Sequence, residues 1–307
     1  MLQQFDDRNA DILIFINGTL AHRDTACVSP FDSVVQGGDA VWEGLRLYDG
    51  RIFRLCQHLE RLRASAKALA FVDIPSLDAL ADAVRRTLEA NGMHDGVHIR
   101  LTLTRGIKMT SGMDPRLNQR GPTLIVLAEY KSPVYDTEGL SLMTSSVRRF
   151  RPDMLDPKIH HNNLIQSILA KIEATAAGAD DAIMLDDRGF IAETNATHLF
   201  FVHGATVSTP RLIACPEGVT RSVVLDICND AGIDCTVRDL TLAEAYRADE
   251  CFCTGTMGEL AGVTCIDGRP IGTGEVGAMT QRLGALFGDV VEREAEPVAG
   301  VVLSPSP

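Results

Sequence analysis

Two side chains in this 307-residue chain suit one another chemically: Lys158, one of only five lysines, and Glu193, thirty-five positions later. Lys158 lies in Asp156-Pro-Lys-Ile-His-His-Asn-Asn163, which suits an exposed turn feeding a helix. Glu193 interrupts Gly189-Phe-Ile-Ala-Glu-Thr-Asn-Ala-Thr-His-Leu-Phe200, otherwise an apolar and small-residue strand. A reactive amine and a partly buried carboxylate are the two protein groups that a pyridoxal phosphate site needs. The amine forms a Schiff base with the aldehyde, and the carboxylate keeps the pyridine nitrogen protonated so that the ring acts as an electron sink. By residue type alone, both side chains would more commonly face solvent.

A phosphate needs its own donors. Gly218-Val219-Thr220-Arg221 precedes a predicted helix, which puts the N–H groups of Val219 and Thr220 at its amino terminus, where unpaired donors and the dipole favour an anion. Gly255-Thr256, within Thr254-Gly-Thr-Met-Gly-Glu259, offers another donor. Val35-Gln-Gly-Gly-Asp-Ala40 is also Gly-rich, but lacks the Gly-Lys-Ser/Thr ending and the Gly-x-Gly-x-x-Gly spacing of nucleotide loops.

The elements that must position these groups follow an α+β pattern in two blocks. Residues 11–21 and 45–55 read as strands, the latter around Asp49-Gly50, and Leu59, Leu62, Ala66 and Leu69 then recur at helical spacing. A second helix starts at the cap Ser76, carries Leu77, Leu80, Val84 and Leu88, and stops at Asn91-Gly92. Val97, Ile99, Leu101 and Leu103 alternate with His98, Arg100, Thr102 and Thr104, so His98 and Arg100 share the polar face of a strand. Thr123–Ala128 reads as a further strand. The block 1–130 is expected to be a small domain, 131–139 a linker, and 140–307 a larger cofactor-binding domain. In the second block, strands are expected over 140–147, over 182–201 around Asp187-Arg-Gly189, and near 250 and 262. Helices are expected over 162–177, 220–231 and 276–287, and the Ser-Pro-rich end is expected to be disordered.

Composition narrows the partners. A net charge of −12 argues against nucleic acid and anionic membranes, while a local arginine cluster would still admit a small anionic substrate. Neither an export signal nor a membrane span is legible, so a cytoplasmic location is expected. The eight cysteines show no Cys-x-x-Cys and no zinc spacing; they read as reduced thiols, with Cys251 and Cys253 packing on one face of a strand and no metal expected.

Taken in order, Lys158 with Asn162 and a helix, the Glu193 segment, Pro216-Glu-Gly-Val-Thr-Arg221 and Thr254-Gly-Thr-Met-Gly-Glu259 resemble the class IV aminotransferases, the fold-type IV pyridoxal phosphate family. The resemblance runs from about residue 12 to about residue 287. It implies a two-domain α/β fold of the α+β type, a cofactor in the interdomain cleft, and a homodimer acting on amino acids and 2-oxoacids. Arg61 in His58-Leu-Glu-Arg-Leu-Arg63 matches the family's phosphate arginine. Trp42-Glu-Gly-Leu-Arg46 resembles the aromatic-Glu-Gly-Ile-Arg segment of branched-chain enzymes, and Arg100 lies where those enzymes keep an arginine for substrate carboxylates. Trp42 would wall the side-chain pocket, His98 would join the arginines, and Met257 would lend a backbone N–H to the α-carboxylate.

The chain departs from the branched-chain pattern in four places: Asn163 stands for a tyrosine, Gly37 for an aromatic, His198 for an asparagine and Pro216 for a leucine. The lead expectation is a transaminase passing amino groups from branched-chain L-amino acids to 2-oxoglutarate. D-amino acids or R-amines as donors, an aminodeoxychorismate lyase, and a non-catalytic cofactor-binding protein are the alternatives.

Overall fold

Burial along the strand Ala40–Tyr48 alternates, with Val41, Glu43, Leu45 and Leu47 buried and Trp42, Gly44, Arg46 and Tyr48 half-exposed. One face of a pleated strand must therefore meet a core, and this strand lies inside the sheet of the first unit. The computed structural model describes residues 3–132, 135 and 138–298. The expected linker 131–139 lies partly, and the Ser-Pro-rich end wholly, outside the described residues. The chain divides into two compact units: one comprises, among described residues, 3–132, 159–163 and 294–298, and the other 135, 138–158 and 164–293.

The first unit contains β1 (Leu13–Ile16), β2 (Thr19–His22), α1 (Ser33–Gly37), β3 (Ala40–Tyr48), β4 (Arg51–Phe53), α2 (Leu55–Ala68), α3 (Leu77–Ala90), β5 (Val97–Thr104) and β6 (Thr123–Tyr130). Among the described residues these strands and Ala295–Pro297 make a seven-stranded sheet, antiparallel at every pairing. Helices α2 and α3 contribute Leu55, Leu59, Leu62, Ala66, Leu80, Val84 and Leu88 to its core. Full burial of each leucine is worth about 1.5–3 kcal/mol. The Ser76 hydroxyl accepts from the Ala79 N–H at 3.2 Å and caps α3, and Gly92 follows its end with φ +60°, as the spacing predicts.

The second unit contains β7 (Leu140–Thr144), α4 (Pro152–Leu155), α5 (Ile165–Ala176), β8 (Asp181–Leu185), β9 (Ile191–Thr194), β10 (His198–His203), β11 (Thr206–Thr209), α6 (Val219–Asp230), β12 (Cys235–Val237), α7 (Leu242–Ala245), β13 (Glu250–Gly255), β14 (Glu259–Ile266) and β15 (Arg269–Pro270), with α8 (Ala278–Glu294) ending at its boundary. Its strands make a mixed sheet of nine, among described residues. The pairs β7–β8 and β11–β12 are parallel, each joined through a helix, α5 and α6 respectively. Every residue of β8 and β9 is buried. Among the described residues no helix is long and apolar enough to cross a membrane.

Two expected helices have different bounds. Helix α5 begins at Ile165, not Asn162, because the backbone just before it is already engaged. The Asn162 N–H donates to the Ala40 carbonyl at 2.8 Å, and the Trp42 N–H to the His160 carbonyl at 3.0 Å. Residues 160–162 thus run as an edge segment beside β3, and their N–H and C=O groups cannot also serve a helix. Helix α8 runs on to Glu294, past the expected end at 287, because Leu283, Phe287 and Val291 keep one buried face.

Candidate active site

Lys158 sits in a turn, its N–H donating to the Asp156 carboxylate at 3.0 Å, and its Nζ lies 3.7 Å from Glu217 Oε1. Glu217 directly precedes Gly218, the N-cap of α6, which has no side-chain cap hydrogen bond. A Cβ on Gly218 would stand 2.3 Å from His198 Cδ2, so only glycine lets the helix start approach that imidazole. His198 Nδ1 in turn lies 3.9 Å from Glu193 Oε2. Short steps within one unit therefore lead from the lysine, past the amino terminus of α6, to the buried carboxylate.

Glu193 is sealed in β9, opposite Met184 of β8. Arg149 Nη2 is 2.8 Å from Oε1, an ion-pair distance, yet that oxygen has no hydrogen-bond partner. The guanidinium is directed instead at the Thr194 carbonyl (2.8 Å) and the Ser167 hydroxyl (3.1 Å). Burial raises the Glu193 carboxyl to about 7, with Arg149 only partly opposing it. Cys215 is buried nearby, its thiol pushed up by burial and then by Glu193, while Arg221, Arg149 and Lys158 pull it down. The charges of Lys158 and Glu193 thus meet at one thiol. On the other side of His198, Gly255 closes the β13–β14 turn that carries Thr256 and Met257, and a Cβ on Gly255 would lie 3.2 Å from Thr197 Cγ2.

These groups fit pyridoxal phosphate. An unbonded oxygen on a buried carboxylate could accept from a protonated pyridine nitrogen, the half-exposed lysine could reach an aldehyde, and the uncapped start of α6 suits a phosphate. Lys158, Glu193, Val219, Thr220, Gly255, Thr256 and Met257 all belong to this unit.

The other sequence-picked residues lie in the first unit and divide between the two faces of β3. On the half-exposed face the Arg100 guanidinium lies 3.9 Å over the Trp42 ring and donates to Asn162 Oδ1 at 2.9 Å, while Trp42 stacks on His160 at 4.4 Å. His98 pairs with Arg46 across the strands. Burial, then Lys131, Arg100 and Arg46, push His98 down to about 3, so it is a neutral imidazole among cations. Asn163, at the position of the family tyrosine, donates through Nδ2 to the Gly38 carbonyl at 3.3 Å. Gly38 has φ +66°, and a Cβ there would lie 2.8 Å from Asn163 Oδ1.

On the buried face, Arg61 is gripped by Glu43: Nε and Nη2 donate to its two oxygens at 2.7 Å each. His58 Nδ1 lies 2.7 Å from Oε2 and His160 Nδ1 3.5 Å from Oε1. Burial would raise the Glu43 carboxyl, but Arg61 and His160 outweigh it and hold it well below the usual range. Glu43, His58, His160, Arg149 and Glu217 were not among the residues picked from sequence. One signal was legible for Glu43, a charge in the apolar series Val41, Leu45, Leu47. None was legible for Arg149, whose approach to Glu193 depends on how the sheet pairs.

Known proteins resemble this chain over most of its length. The sequence model of amino-transferase class IV matches residues 40–266. The chain is 50% identical over 291 residues to branched-chain-amino-acid aminotransferase-like protein 2 of Arabidopsis thaliana, an alignment covering 94% of this chain and 52% of that protein. It therefore spans about half the length of that relative. It is 30% identical over 295 residues to the branched-chain-amino-acid aminotransferase of Pseudomonas aeruginosa, covering 93% and 95% of the two chains. The structure is similar to that of the T.th. branched-chain amino acid aminotransferase complexed with N-(5'-phosphopyridoxyl)-L-glutamate, with TM-score 0.87, 33% identity, and 94% and 99% of the chains covered. The two-domain α/β fold expected from sequence is the fold of these structures. With the turn-borne lysine, the buried glutamate and the open helix start in the family's order, the chain belongs to the class IV aminotransferases.

Proposed function

We propose that this chain is a pyridoxal phosphate-dependent transaminase that moves the amino group of a branched-chain L-amino acid to a 2-oxoacid such as 2-oxoglutarate in two half-reactions. The observation that carries this reading is the unbonded Oε1 of buried Glu193 in the same electrostatic neighbourhood as Lys158. When bound, the cofactor supplies the electron sink. Glu193 holds the proton on its ring nitrogen. Lys158 anchors it and then moves the proton at the substrate Cα. Val219 and Thr220 present backbone donors to the phosphate at the start of α6, Gly255 and Thr256 add theirs, and the Arg61 guanidinium, its Nε and Nη2 held by Glu43, supplies charge. Arg46, Arg100 and His98 receive carboxylates, Trp42 meets the side chain, and Met257 offers a backbone N–H to the α-carboxylate.

Single-turnover absorption spectra with L-leucine, D-alanine and (R)-1-phenylethylamine test the reading. The visible band of the loaded enzyme is expected to bleach with L-leucine. Bleaching by D-alanine alone overturns the donor assignment, and a band unchanged by sodium borohydride overturns the role of Lys158.

The reading also assigns the enzyme to the cytoplasm and to a homodimer. Ile165, Ile168, Leu169 and Ile172 stand exposed along one face of α5, a stripe that a second copy of the chain would cover. Sedimentation velocity is expected to give a dimer that Ile168→Glu weakens; a wild-type monomer at micromolar concentration removes this part of the reading.

A further inference from the structure

Glu43 is fully buried and can touch no ligand, whereas the Arg61 side chain it grips keeps 17% of its surface accessible. Two parallel hydrogen bonds to one carboxylate fix both the plane and the rotation of a guanidinium, a constraint that a single bond does not impose. The carboxylate is itself over-determined. His58, 3% exposed and pushed down by burial, is a neutral imidazole that donates through Nδ1 to Oε2. His160, stacked on Trp42 with its Nδ1 bonded to the Trp42 carbonyl, stands 3.5 Å from Oε1 without a hydrogen bond to it. Glu43 is also anchored by strand pairing, lying opposite Leu101 between Trp42 and Gly44. A charge in this position is costly to bury, and apolar residues in place of the Glu43–Arg61 pair would pack beside Val41, Leu45 and Leu47 without that cost. The arrangement is therefore better suited to directing Arg61 than to stabilising the sheet.

We propose that Glu43 is a positioning residue that holds the Arg61 guanidinium in a fixed plane for the cofactor phosphate, with His58 fixing the carboxylate in turn. This rests on the assignment of Arg61 to the phosphate made above. Glu43 acts only through Arg61, so its removal weakens recognition of the phosphate and leaves recognition of the pyridine ring unchanged. An opposing effect gives the proposal a clear alternative: Glu43 also neutralises Arg61, and if screening were its whole influence, removing the charge would tighten phosphate binding.

The experiment compares dissociation constants of the apoenzyme for pyridoxal phosphate and for pyridoxal, which lacks the phosphate, in wild type, Arg61→Ala, Glu43→Gln and Glu43→Asp. Glu43→Asp keeps the charge and shortens the reach, which keeps the test open should Glu43→Gln fail to fold. The ratio of the two constants is expected to move against the phosphate form by about tenfold or more in Arg61→Ala, the size of one lost charged hydrogen bond. In the Glu43 variants it is expected to move in the same direction by about fivefold, with pyridoxal affinity within about twofold of wild type, as for a bond misaligned but not removed. A shift in Arg61→Ala with an unchanged or opposite ratio in the Glu43 variants overturns the positioning role alone. An unchanged ratio in Arg61→Ala overturns the phosphate assignment and the proposal with it. Equal losses for both ligands in the Glu43 variants reveal a purely structural residue and also overturn it.

Discussion

Two buried glutamates, one in each unit, have opposite surroundings. Glu43 has both oxygens engaged, by Arg61 and His58 at 2.7 Å, and its carboxyl is held well below the ordinary range. Glu193 has one arginine at ion-pair distance, an oxygen with no hydrogen bond, and a carboxyl raised to about 7. Burial is nearly equal, so the difference is one of satisfaction. A saturated carboxylate has finished its chemistry within the fold and serves to fix its partners. An unsatisfied one retains an acceptor for a cation or donor that the chain does not supply, which in the proposed function would be the protonated pyridine.

The largest effect lies on the Glu193 side. Lys158→Ala is expected to slow the first half-reaction by about 10⁴-fold, the upper range for loss of a positioned proton-transfer group. Rapid-mixing absorbance with L-leucine measures it, and a loss under tenfold would remove the lysine from the site. Next comes a crossed comparison. Glu43→Gln is expected to cost about 3 kcal/mol of stability, since it leaves the largely buried Arg61 guanidinium without its counter-ion. Glu193→Gln should cost little stability but slow the proton shift about 10²-fold. Denaturant melts and half-reaction rates on both variants check this, and identical profiles would abolish the contrast.

Titration provides a smaller and more specific difference. The folded Glu193 carboxyl stands at about 7 against 4.5 in the unfolded chain, so the native state binds more protons between those values. Its contribution to apoenzyme stability therefore declines as pH rises from 4.5 to 7, by on the order of 3 kcal/mol. Glu43, depressed on folding, contributes stability above 4.5 that is lost as pH falls toward its lower folded value. Urea unfolding of the apoenzyme at pH 5 and pH 8 should show the Glu193 component vanish in Glu193→Gln; a difference that persists there assigns it to other groups. The smallest effect is expected from Asn162→Ala, which removes the acceptor of the 2.9 Å bond from Arg100. It should raise KM for 2-oxoglutarate by about fivefold, the worth of one net hydrogen bond, with kcat for L-leucine unchanged. A fall in kcat at constant KM would separate this bond from carboxylate binding.

Residues that announce local structure were legible one by one. Ser76 and Gly92 bracket α3, and the alternation of His98 and Arg100 with Val97 and Ile99 gives the two faces of β5, because capping and pleating depend on neighbours close in sequence. The start of α5 was misplaced for the opposite reason. Asn162 has a local neighbourhood that suits a helix, but its N–H is taken by Ala40, more than a hundred positions away.

What the sequence determined by itself is the order of chemical groups: a lysine on a turn, a glutamate in a strand, a glycine before a helix, and arginines in two separate segments. Only the tertiary structure decided the state of each group. Whether a glutamate is saturated like Glu43 or left with an open oxygen like Glu193 depends on where packing aims the neighbouring donors: α2 turns His58 and Arg61 onto Glu43, whereas Arg149, 2.8 Å from Glu193 Oε1, is directed at the Thr194 carbonyl. Residue type and spacing along the chain do not encode that direction.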